Sequence, residues 1–172
     1  MPTRLEKLIR DVPDFPKPGI VFKDITPLLA DSAGLALAVE LMANPFRRSH
    51  IDLVVGAESR GFIFGTAVAQ SLNAGFIPVR KPGKLPSQRQ ARTYQLEYGQ
   101  DTLEMHADAL NGNHRVLMVD DLLATGGTMK ACCDLVQDLG GQIVGISVLI
   151  ELAFLNGRKA VAPHQVQSVL RY

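Results

Sequence analysis

The sequence predicts an α/β fold, in which helices cover both faces of a mainly parallel, twisted sheet. Short continuous apolar runs recur along the chain between turn residues, and such runs are typical of strands that are buried on both faces. Segments with helical spacing lie between them, and strands that alternate with helices form right-handed crossovers and a parallel sheet. With 172 residues, 47% of them hydrophobic, the chain has the length of one domain, residues 1–172.

A short helix and an irregular segment are predicted at the start of the chain. Apolar residues at helical spacing indicate the helix: Leu5, Leu8, Ile9 and Val12. Prolines and a glycine in residues 13–19 favour an extended, irregular path, and a short apolar patch follows at 20–22. A second helix is predicted to begin at Asp31 or Ser32, which can cap it, and to end near Asn44-Pro45.

From residue 51 onward, strand and helix patterns alternate. Apolar runs predict strands over 51–55, 75–80, 115–119 and 142–151, and helical spacing predicts helices over 61–72 and 128–141. Residues 81–106 interrupt this order. They are basic and rich in Pro and Gly at first, and then alternate apolar and polar residues, which predicts an exposed hairpin turning near Gly99-Gln100. A long insertion of this kind is more often a functional flap than a spacer.

The composition limits the classes of function and cellular setting. Lys and Arg number 18 and Asp and Glu 17, and this balance does not support a general nucleic-acid or membrane-surface binder. No apolar run reaches the roughly 18 residues of a membrane span, and the charged N-terminus does not resemble a secretory signal. The two cysteines, Cys132 and Cys133, are adjacent, which fits neither a strain-free disulfide nor a metal site. We therefore expect a cytoplasmic protein.

The most informative segment is VLMVDDLLATGGTM, residues 116–129. Its acidic doublet, Asp120 and Asp121, ends a buried run, where two adjacent carboxylates need partners. Because the carboxyl ends of parallel strands form the ligand crevice, the doublet can accept hydrogen bonds from the vicinal hydroxyls of a ribose, with a divalent ion nearby. The alternative is a solvated pair that complements a helix dipole.

The loop that follows the doublet consists of small residues: Ala124, Thr125, Gly126, Gly127 and Thr128. Glycine permits the positive φ of a tight turn, and the start of the next helix offers free N–H groups and the positive end of its dipole. The threonine hydroxyls can donate as well. The loop therefore fits a phosphate monoester, and its glycine spacing differs from the dinucleotide and P-loop motifs. Doublet and loop together fit a phosphoribosyl group.

This segment resembles the motif of the type I phosphoribosyltransferases, which use 5-phosphoribosyl 1-pyrophosphate (PRPP), and the form DDLLATGGT is similar to their adenine-using branch. The resemblance spans nearly the whole chain, because further motifs match in order: PDFPKPGIVFKDITPLL (13–29), GAESRGFIFG (56–65), VRKPGKLP (79–86) and YQLEYG (94–99). It implies the type I fold, an N-terminal hood over the base at 1–30, a flexible flap at 81–106 and a homodimer. The implied reaction, in purine salvage, forms AMP and pyrophosphate from adenine and PRPP.

The pyrophosphate site follows from the same resemblance. The turn at Glu58, Ser59 and Arg60 lies between a predicted strand and a helix, where N–H groups and an arginine are available to an anion. The resemblance assigns this turn to pyrophosphate and implies a cis peptide between Glu58 and Ser59. It gives Arg80 and Lys81 to the same group. A third basic residue, Lys84, is expected to arrive when the flap closes.

The base site is expected at PGIVFKDI, residues 18–25. Phe22 offers a flat face for stacking, and the backbone groups of Val21 and Lys23 can read the edge of adenine. Leu122 is expected against the opposite face of the base. The family often has arginine where this chain has Lys23, but the implied contact there is through the backbone.

The proton at the attacking purine nitrogen requires an acceptor. Glu97, which lies beside Tyr98 in the flap, is the candidate, since a carboxylate on a closing loop can take that proton. Oxopurine-using relatives carry a carboxylate at the position of Ala124, and this chain does not. The expected catalytic residues are therefore Glu97, Arg60, Asp120 and Asp121.

The resemblance implies Mg²⁺ as the cofactor. We expect the substrate to carry the ion, which would bridge pyrophosphate oxygens and ribose hydroxyls without direct side-chain ligands. Two other functions remain open: a transferase for another base such as hypoxanthine or xanthine, and a regulator that senses PRPP while it binds nucleic acid.

Overall fold

Five parallel strands form the central sheet of the protein, whose structure is a computed structural model that describes residues 2–96 and 99–172. The strands of the described residues are, in chain order, β1 (Arg10–Pro13), β2 (Val21–Asp24), β3 (Leu53–Ala57), β4 (Gly75–Val79), β5 (Arg89–Leu96), β6 (Gly99–His106), β7 (Arg115–Leu123), β8 (Gln142–Glu151) and β9 (Val166–Arg171). The central sheet has the spatial order β4-β3-β7-β8-β9, and all of its neighbouring strands are parallel. The predicted α/β fold is thus confirmed.

The helices of the described residues occupy both faces of this sheet. They are α1 (Pro2–Glu6), α2 (Thr26–Ala30), α3 (Ser32–Ala43), α4 (Arg60–Ser71), α5 (Gly127–Asp138) and α6 (Gly157–Ala160), with single 3-10 turns at Asn44–Phe46 and Ala153–Leu155. The predicted cap of α3 is confirmed, because the Asp31 carboxylate accepts a hydrogen bond from the Gly34 N–H at 2.6 Å. Among residues 2–96 and 99–172, no helix has the length and apolar character to cross a bilayer.

The sheet separates two apolar cores. Along β7, Val116 and Met118 belong to the core that contains α5, whereas Leu117 and Val119 belong to the core that contains α3 and α4. Successive residues of a strand point to opposite faces, so a strand covered on both sides requires apolar residues throughout. This explains the continuous apolar runs in the sequence.

The strand order changes direction between β3 and β7. The chain leaves β3 towards β4 on one side, and leaves β7 towards β8 and β9 on the other. The β3–β7 ladder ends at Gly56↔Val119, while β7 continues beside β8 to Leu123↔Glu151. A crevice therefore opens beyond Val119, at the kind of switch point where open parallel sheets bind ligands.

The strand predicted over 115–119 is longer than expected. β7 runs from Arg115 to Leu123, so Asp120 and Asp121 lie within the strand rather than after it. Adjacent aspartates have low strand propensity, which is why the sequence suggests an end there. The long partner β8 keeps the ladder intact through the doublet.

The helix predicted at the N-terminus is shorter than expected, and its predicted continuation to Val12 was wrong. Helix α1 ends at Glu6, and Val12 belongs to β1, where it pairs with Phe22 of β2 in a two-stranded antiparallel sheet. Pairing with a strand ten residues away in the chain overrides the helical spacing of the apolar residues. The apolar patch at 20–22 is largely part of β2.

The predicted hairpin exists, but part of it is less exposed than expected. β5 and β6 pair antiparallel from Arg89↔His106 to Leu96↔Gly99, so Gly99 and Gln100 belong to the second strand. Leu103 and Met105 of β6 are buried in the core of α5, because one face of the hairpin packs against the main body. Glu104 is buried as well, and the residues exposed as predicted are Arg89, Gln90, Ala91, Thr93, Gln95, Gly99 and Gln100.

Candidate functional site

A cavity of about 250 Å³ occupies the crevice between the ends of β3 and β7. It is lined by residues of the turn after β3, the end of β7 and the loop that begins α5: Glu58, Ser59, Arg60, Asp120, Asp121, Leu122, Leu123, Ala124, Thr125, Gly126, Gly127, Thr128 and Met129. The structure thus brings together two segments that the sequence selects separately. Leu123 and Met129 also line the cavity, although the sequence analysis gives them no role of their own; both are buried.

The carboxylate doublet lies in the floor of this cavity. Asp121 is only 5% exposed, and its carboxylate lies 3.0 Å from Nε of Arg60. The backbone N–H of Asp121 donates to Oδ1 of Asp120 at 2.9 Å. Burial, reinforced by the neighbouring charge of Asp121, raises the pKa of Asp120 well above its usual range. Burial also raises the pKa of Asp121, although Arg60 opposes the change. Hydrogen-bond donors from a ligand would compensate these buried acceptors.

The glycine loop contains one position that only glycine can occupy. Gly126 has a φ of +87° and precedes the first turn of α5, and a Cβ there would lie 2.6 Å from the carbonyl oxygen of Gly157. Gly127 is different, since a Cβ at this position would make only ordinary contact with Tyr94, at 3.6 Å. The N-terminus of α5 opens into the cavity and offers N–H groups to an anion.

The turn after β3 carries the cis peptide that the resemblance implies, between Glu58 and Ser59. The Glu58 carboxylate accepts hydrogen bonds from the backbone N–H of Lys81 and from the Arg80 guanidinium, the latter at 3.1 Å. Burial works against ionisation, but these two donors hold the pKa of Glu58 below its usual range. Glu58 therefore connects the basic segment that follows β4, Arg80 and Lys81, to the edge of the cavity.

A second polar network joins the hairpin to α5. The Tyr94 hydroxyl lies 3.2 Å from Oγ1 of Thr128 and 3.3 Å from Oδ2 of Asp101, and Asp101 also forms an ion pair with Lys81. Burial opposes ionisation of Asp101, yet the Lys81 ammonium keeps the pKa of this carboxyl below its usual range. The network connects the glycine loop, through Thr128, with the basic segment.

The predicted base-site residues lie next to the cavity. The Phe22 ring has Arg60 on one face, 5.2 Å from guanidinium carbon to ring centroid, and Phe15 packs edge-on at 5.2 Å between centroids. The Lys23 side chain points elsewhere: its ammonium lies 2.6 Å from Asp11 and 3.9 Å from the Tyr172 ring centroid. A side-chain role for Lys23 at the cavity is therefore unsupported.

The remaining predicted residues differ in how close they come to the cavity. Lys84 is exposed at the start of the segment that leads to the hairpin. Glu97 and Tyr98 lie outside the described residues, so their predicted roles are untested. In the described part of the chain, no group of three or more acidic, histidine or cysteine side chains is arranged to hold a metal ion.

Comparisons with known proteins agree with this geometry. The family profile described as "Phosphoribosyl transferase domain" matches residues 25–167. The adenine phosphoribosyltransferase of Koribacter versatilis is 56% identical over 168 residues, which cover 98% of this chain and 92% of the relative. The crystal structure of the enzyme from Thermoanaerobacter pseudethanolicus superposes with a TM-score of 0.97, at 46% identity and with complete coverage of both chains.

A second solved structure carries ligands. The adenine phosphoribosyltransferase of Saccharomyces cerevisiae, complexed with adenine and an imino-altritol bisphosphate, superposes with a TM-score of 0.93 at 35% identity and covers 98% of each chain. Profile, sequence relatives and structures agree over nearly the whole length. The chain therefore belongs to the adenine phosphoribosyltransferase family.

Proposed function

We propose that this protein transfers the 5-phosphoribosyl group of PRPP to N9 of adenine, with inversion at C1′, giving AMP and pyrophosphate for purine salvage. The observation that carries the proposal is that one cavity is lined by both Asp120 and Asp121 of β7 and by the glycine loop that begins α5. A ribose and its 5′-phosphate require these two kinds of partner at adjacent positions. The bound adenine of the yeast relative supports the choice of base.

The sugar phosphate is held at its two ends. Backbone N–H groups from Thr125 to Thr128 bind the 5′-phosphate, aided by the helix dipole and the threonine hydroxyls. The carboxylates of Asp120 and Asp121 accept hydrogen bonds from the ribose hydroxyls. As positive charge develops on the ribose ring during departure of pyrophosphate, two nearby carboxylates stabilise it more than they stabilise the ground state.

Pyrophosphate occupies the neighbouring turn and the basic segment. Ser59 and Arg60 offer an N–H group and a guanidinium at the start of α4, and Arg80, Lys81 and Lys84 add positive charge on the same side. The C1′–O bond to pyrophosphate breaks, and the electron pair stays with the leaving group. Lys81 must exchange its ion pair with Asp101 for this ligand, which couples substrate binding to the hairpin.

PRPP would carry Mg²⁺ into the site, with no direct side-chain ligand expected. When bound, the ion would supply positive charge that neutralises the leaving pyrophosphate. Asp120 and Asp121, which line the cavity, would suit such a complex through their negative charge, and we assign them to the ribose hydroxyls. Removal of divalent ions with EDTA should abolish turnover, and Mg²⁺ should restore it.

Adenine binds between Phe22 and Leu122. Backbone groups of Val21 and Lys23 read its edge, with an acceptor for the amino group and a donor for a ring nitrogen. A buried carbonyl that accepts from the amino group would face the oxo group of hypoxanthine, and this unpaired contact discriminates strongly between the bases. The absence of a carboxylate at Ala124 fits adenine as well, as judged by the family pattern.

The flap completes the site in this proposal. Glu97 accepts the proton from the purine nitrogen that attacks C1′, and Tyr98 covers the ligand as the flap closes and excludes water. Glu97→Gln should lower kcat more than it raises either KM, because the carboxylate is needed in the chemical step. Unchanged kcat across pH would remove Glu97 from the mechanism.

The direct test is to incubate the purified protein with PRPP, Mg²⁺ and one free base at a time. Adenine should yield AMP, and hypoxanthine, guanine and xanthine should react far more slowly. Faster reaction with an oxopurine would identify a different transferase. Tight PRPP binding without turnover of any base would favour the sensing regulator.

We also infer a homodimer in the cytoplasm. The side chains of Ile63 and Phe154, 40% and 69% exposed, supply apolar surface that a second copy would cover. Light scattering should give twice the chain mass. Cys132 and Cys133 are free, buried thiols, which suit a reducing compartment.

A further inference from the structure

We propose that Gly157, Glu151 and Arg158, here called the rear wall, position the glycine loop for the 5′-phosphate of PRPP. None of the three lines the cavity. They act through the backbone of the loop, and are therefore positioning residues rather than catalytic ones. This inference rests on the proposed function, since it takes the loop to be the phosphate site.

Gly157 packs directly against the back of the loop. A Cβ at Gly157 would lie 2.3 Å from the carbonyl oxygen of Ala124 and 3.0 Å from Cγ of Leu123. The contact is mutual, because a Cβ at Gly126 would lie 2.6 Å from the Gly157 carbonyl oxygen and 2.9 Å from Cβ of Ala160. Two backbones thus touch with no side chain between them, so α6 sets how far the loop can retreat from the cavity.

The position of α6 is fixed by an ion pair between the buried carboxylate of Glu151 and the partly exposed guanidinium of Arg158. Arg158, the residue after Gly157, donates to both carboxylate oxygens of Glu151, Nε at 2.7 Å and Nη2 at 2.7 Å. Glu151 is 3% exposed and also accepts from the Ser168 hydroxyl at 2.7 Å, while Nη1 of Arg158 donates to the Val166 carbonyl at 2.8 Å. A bidentate pair of this kind restricts geometry as well as adding attraction.

Glu151 also connects the wall to the strand that carries the loop. It pairs in register with Leu123 at the end of β7, and the N–H of Leu152 donates to the Leu123 carbonyl at 2.9 Å. The loop is therefore held at its start by the β7–β8 ladder and from behind by α6. Preorganised N–H groups require such support, because a displacement of about 1 Å can cost about a hundredfold in rate.

The sharpest test is Gly157→Ala, which adds one methyl group outside the cavity. The φ of Gly157 lies outside the left-handed region, so alanine fits the local backbone, and the methyl can be accommodated only if the loop and α6 move apart. We expect KM for PRPP to rise about tenfold or more, with KM for adenine within about twofold of the original. AMP affinity should fall, whereas the affinity of adenosine, which lacks the phosphate, should stay unchanged.

The matched control is Gly145→Ala in β8. Its methyl would lie 2.7 Å from Cε1 of Phe46, so it is also too close to a neighbour, but to a core side chain rather than to the backbone of the loop. This variant should lose thermal stability but retain both KM values. If Gly157→Ala behaves like Gly145→Ala, the wall is merely structural and the inference is wrong.

Variants of the ion pair and of the loop complete the test. Arg158→Met should raise KM for PRPP, and Arg158→Lys, which keeps the charge, should recover part of the loss; equal losses would contradict the argument.

Thr128→Val probes the loop itself. If Thr128→Val leaves the preference for AMP over adenosine intact, the assignment of the loop to the phosphate is wrong. If Thr128→Val reduces this preference but Gly157→Ala does not, the loop binds the phosphate and only the proposed role of the rear wall is wrong.

Discussion

Arg60 and Asp121 form an ion pair across the crevice, with 3.0 Å between Nε and Oδ2. Arg60 begins α4 after β3, and Asp121 belongs to β7, so the contact bridges the two strands at the switch point. The same guanidinium lies over the Phe22 ring. Arg60 thus adjoins three proposed subsites, those of the ribose, the pyrophosphate and the base.

Replacement of Asp121 by asparagine should impair the reaction far more than it impairs folding. Asn keeps the size but loses the charge that Arg60 and the ribose hydroxyls require, and a hydrogen bond to a charged group contributes about 1.5–3 kcal/mol. We expect kcat/KM for PRPP to fall by about ten- to a hundredfold. Asp134→Asn, which alters an ion pair with Lys130 on the outer surface of α5, should retain full activity. Equal activity of both variants would remove Asp121 from the ribose site.

Asp120→Asn should stabilise the ligand-free protein, increasingly so at higher pH. Burial raises the pKa of Asp120, so the folded state holds its proton more tightly than the unfolded chain does. The stability associated with that proton is complete below the ordinary value of 3.8 and declines as pH rises through the raised pKa. The asparagine side chain does not ionise, so the variant has no corresponding pH dependence at this position. The unfolding free energy of the variant relative to the original should therefore grow from pH 4 to pH 8 in urea titrations, and a shrinking difference would contradict the assignment.

Glu151→Gln should show the opposite pH dependence. Hydrogen bonds from Arg158 hold the pKa of Glu151 below its usual value, so ionised Glu151 stabilises the fold above the ordinary pKa of 4.5. That contribution is lost as pH falls through the lower, folded-state pKa. Because the Arg158 guanidinium is partly exposed to solvent, the pair is weaker than a fully buried one. A hydrogen bond to a charged group contributes about 1.5–3 kcal/mol, and we expect a loss of this order at pH 7. In the same titrations the loss should shrink in acid; a loss independent of pH would mean that the charge of Glu151 contributes little.

The strands of the central sheet could be predicted where burial on both faces determines the residue type. β3, β4 and β8 read directly as apolar runs, and the Asp31 cap of α3 follows from local chemistry. The extension of β7 through Asp120 and Asp121 was not predictable, because it depends on hydrogen bonds to β8 and not on the propensity of the doublet. Val12 fits a helical spacing equally well, and only its partner Phe22 decides in favour of a strand.

The candidate site was predictable where function leaves a local motif. The doublet and the glycine loop could be selected because their residue types are adjacent in the chain. The contact between Gly126 and Gly157 corresponds to no local motif in the sequence, since it joins two distant segments through backbone packing alone. The same holds for Arg60 and Phe22, which meet only because the β1–β2 hairpin folds beside the end of β3.

Phe22→Ala should weaken adenine binding selectively. Stacking of a base on an aromatic ring contributes about 1–3 kcal/mol, so KM for adenine should rise by about ten- to a hundredfold. KM for PRPP should change little, because Phe22 lies beyond Arg60 from the carboxylate doublet. Phe22→Leu is the matched control, since it keeps apolar bulk but removes the flat face. If leucine restored normal adenine binding, Phe22 would contribute only bulk. If instead both variants raised KM for PRPP and left KM for adenine unchanged, the ring would act by orienting Arg60, and the base site would have to be sought elsewhere.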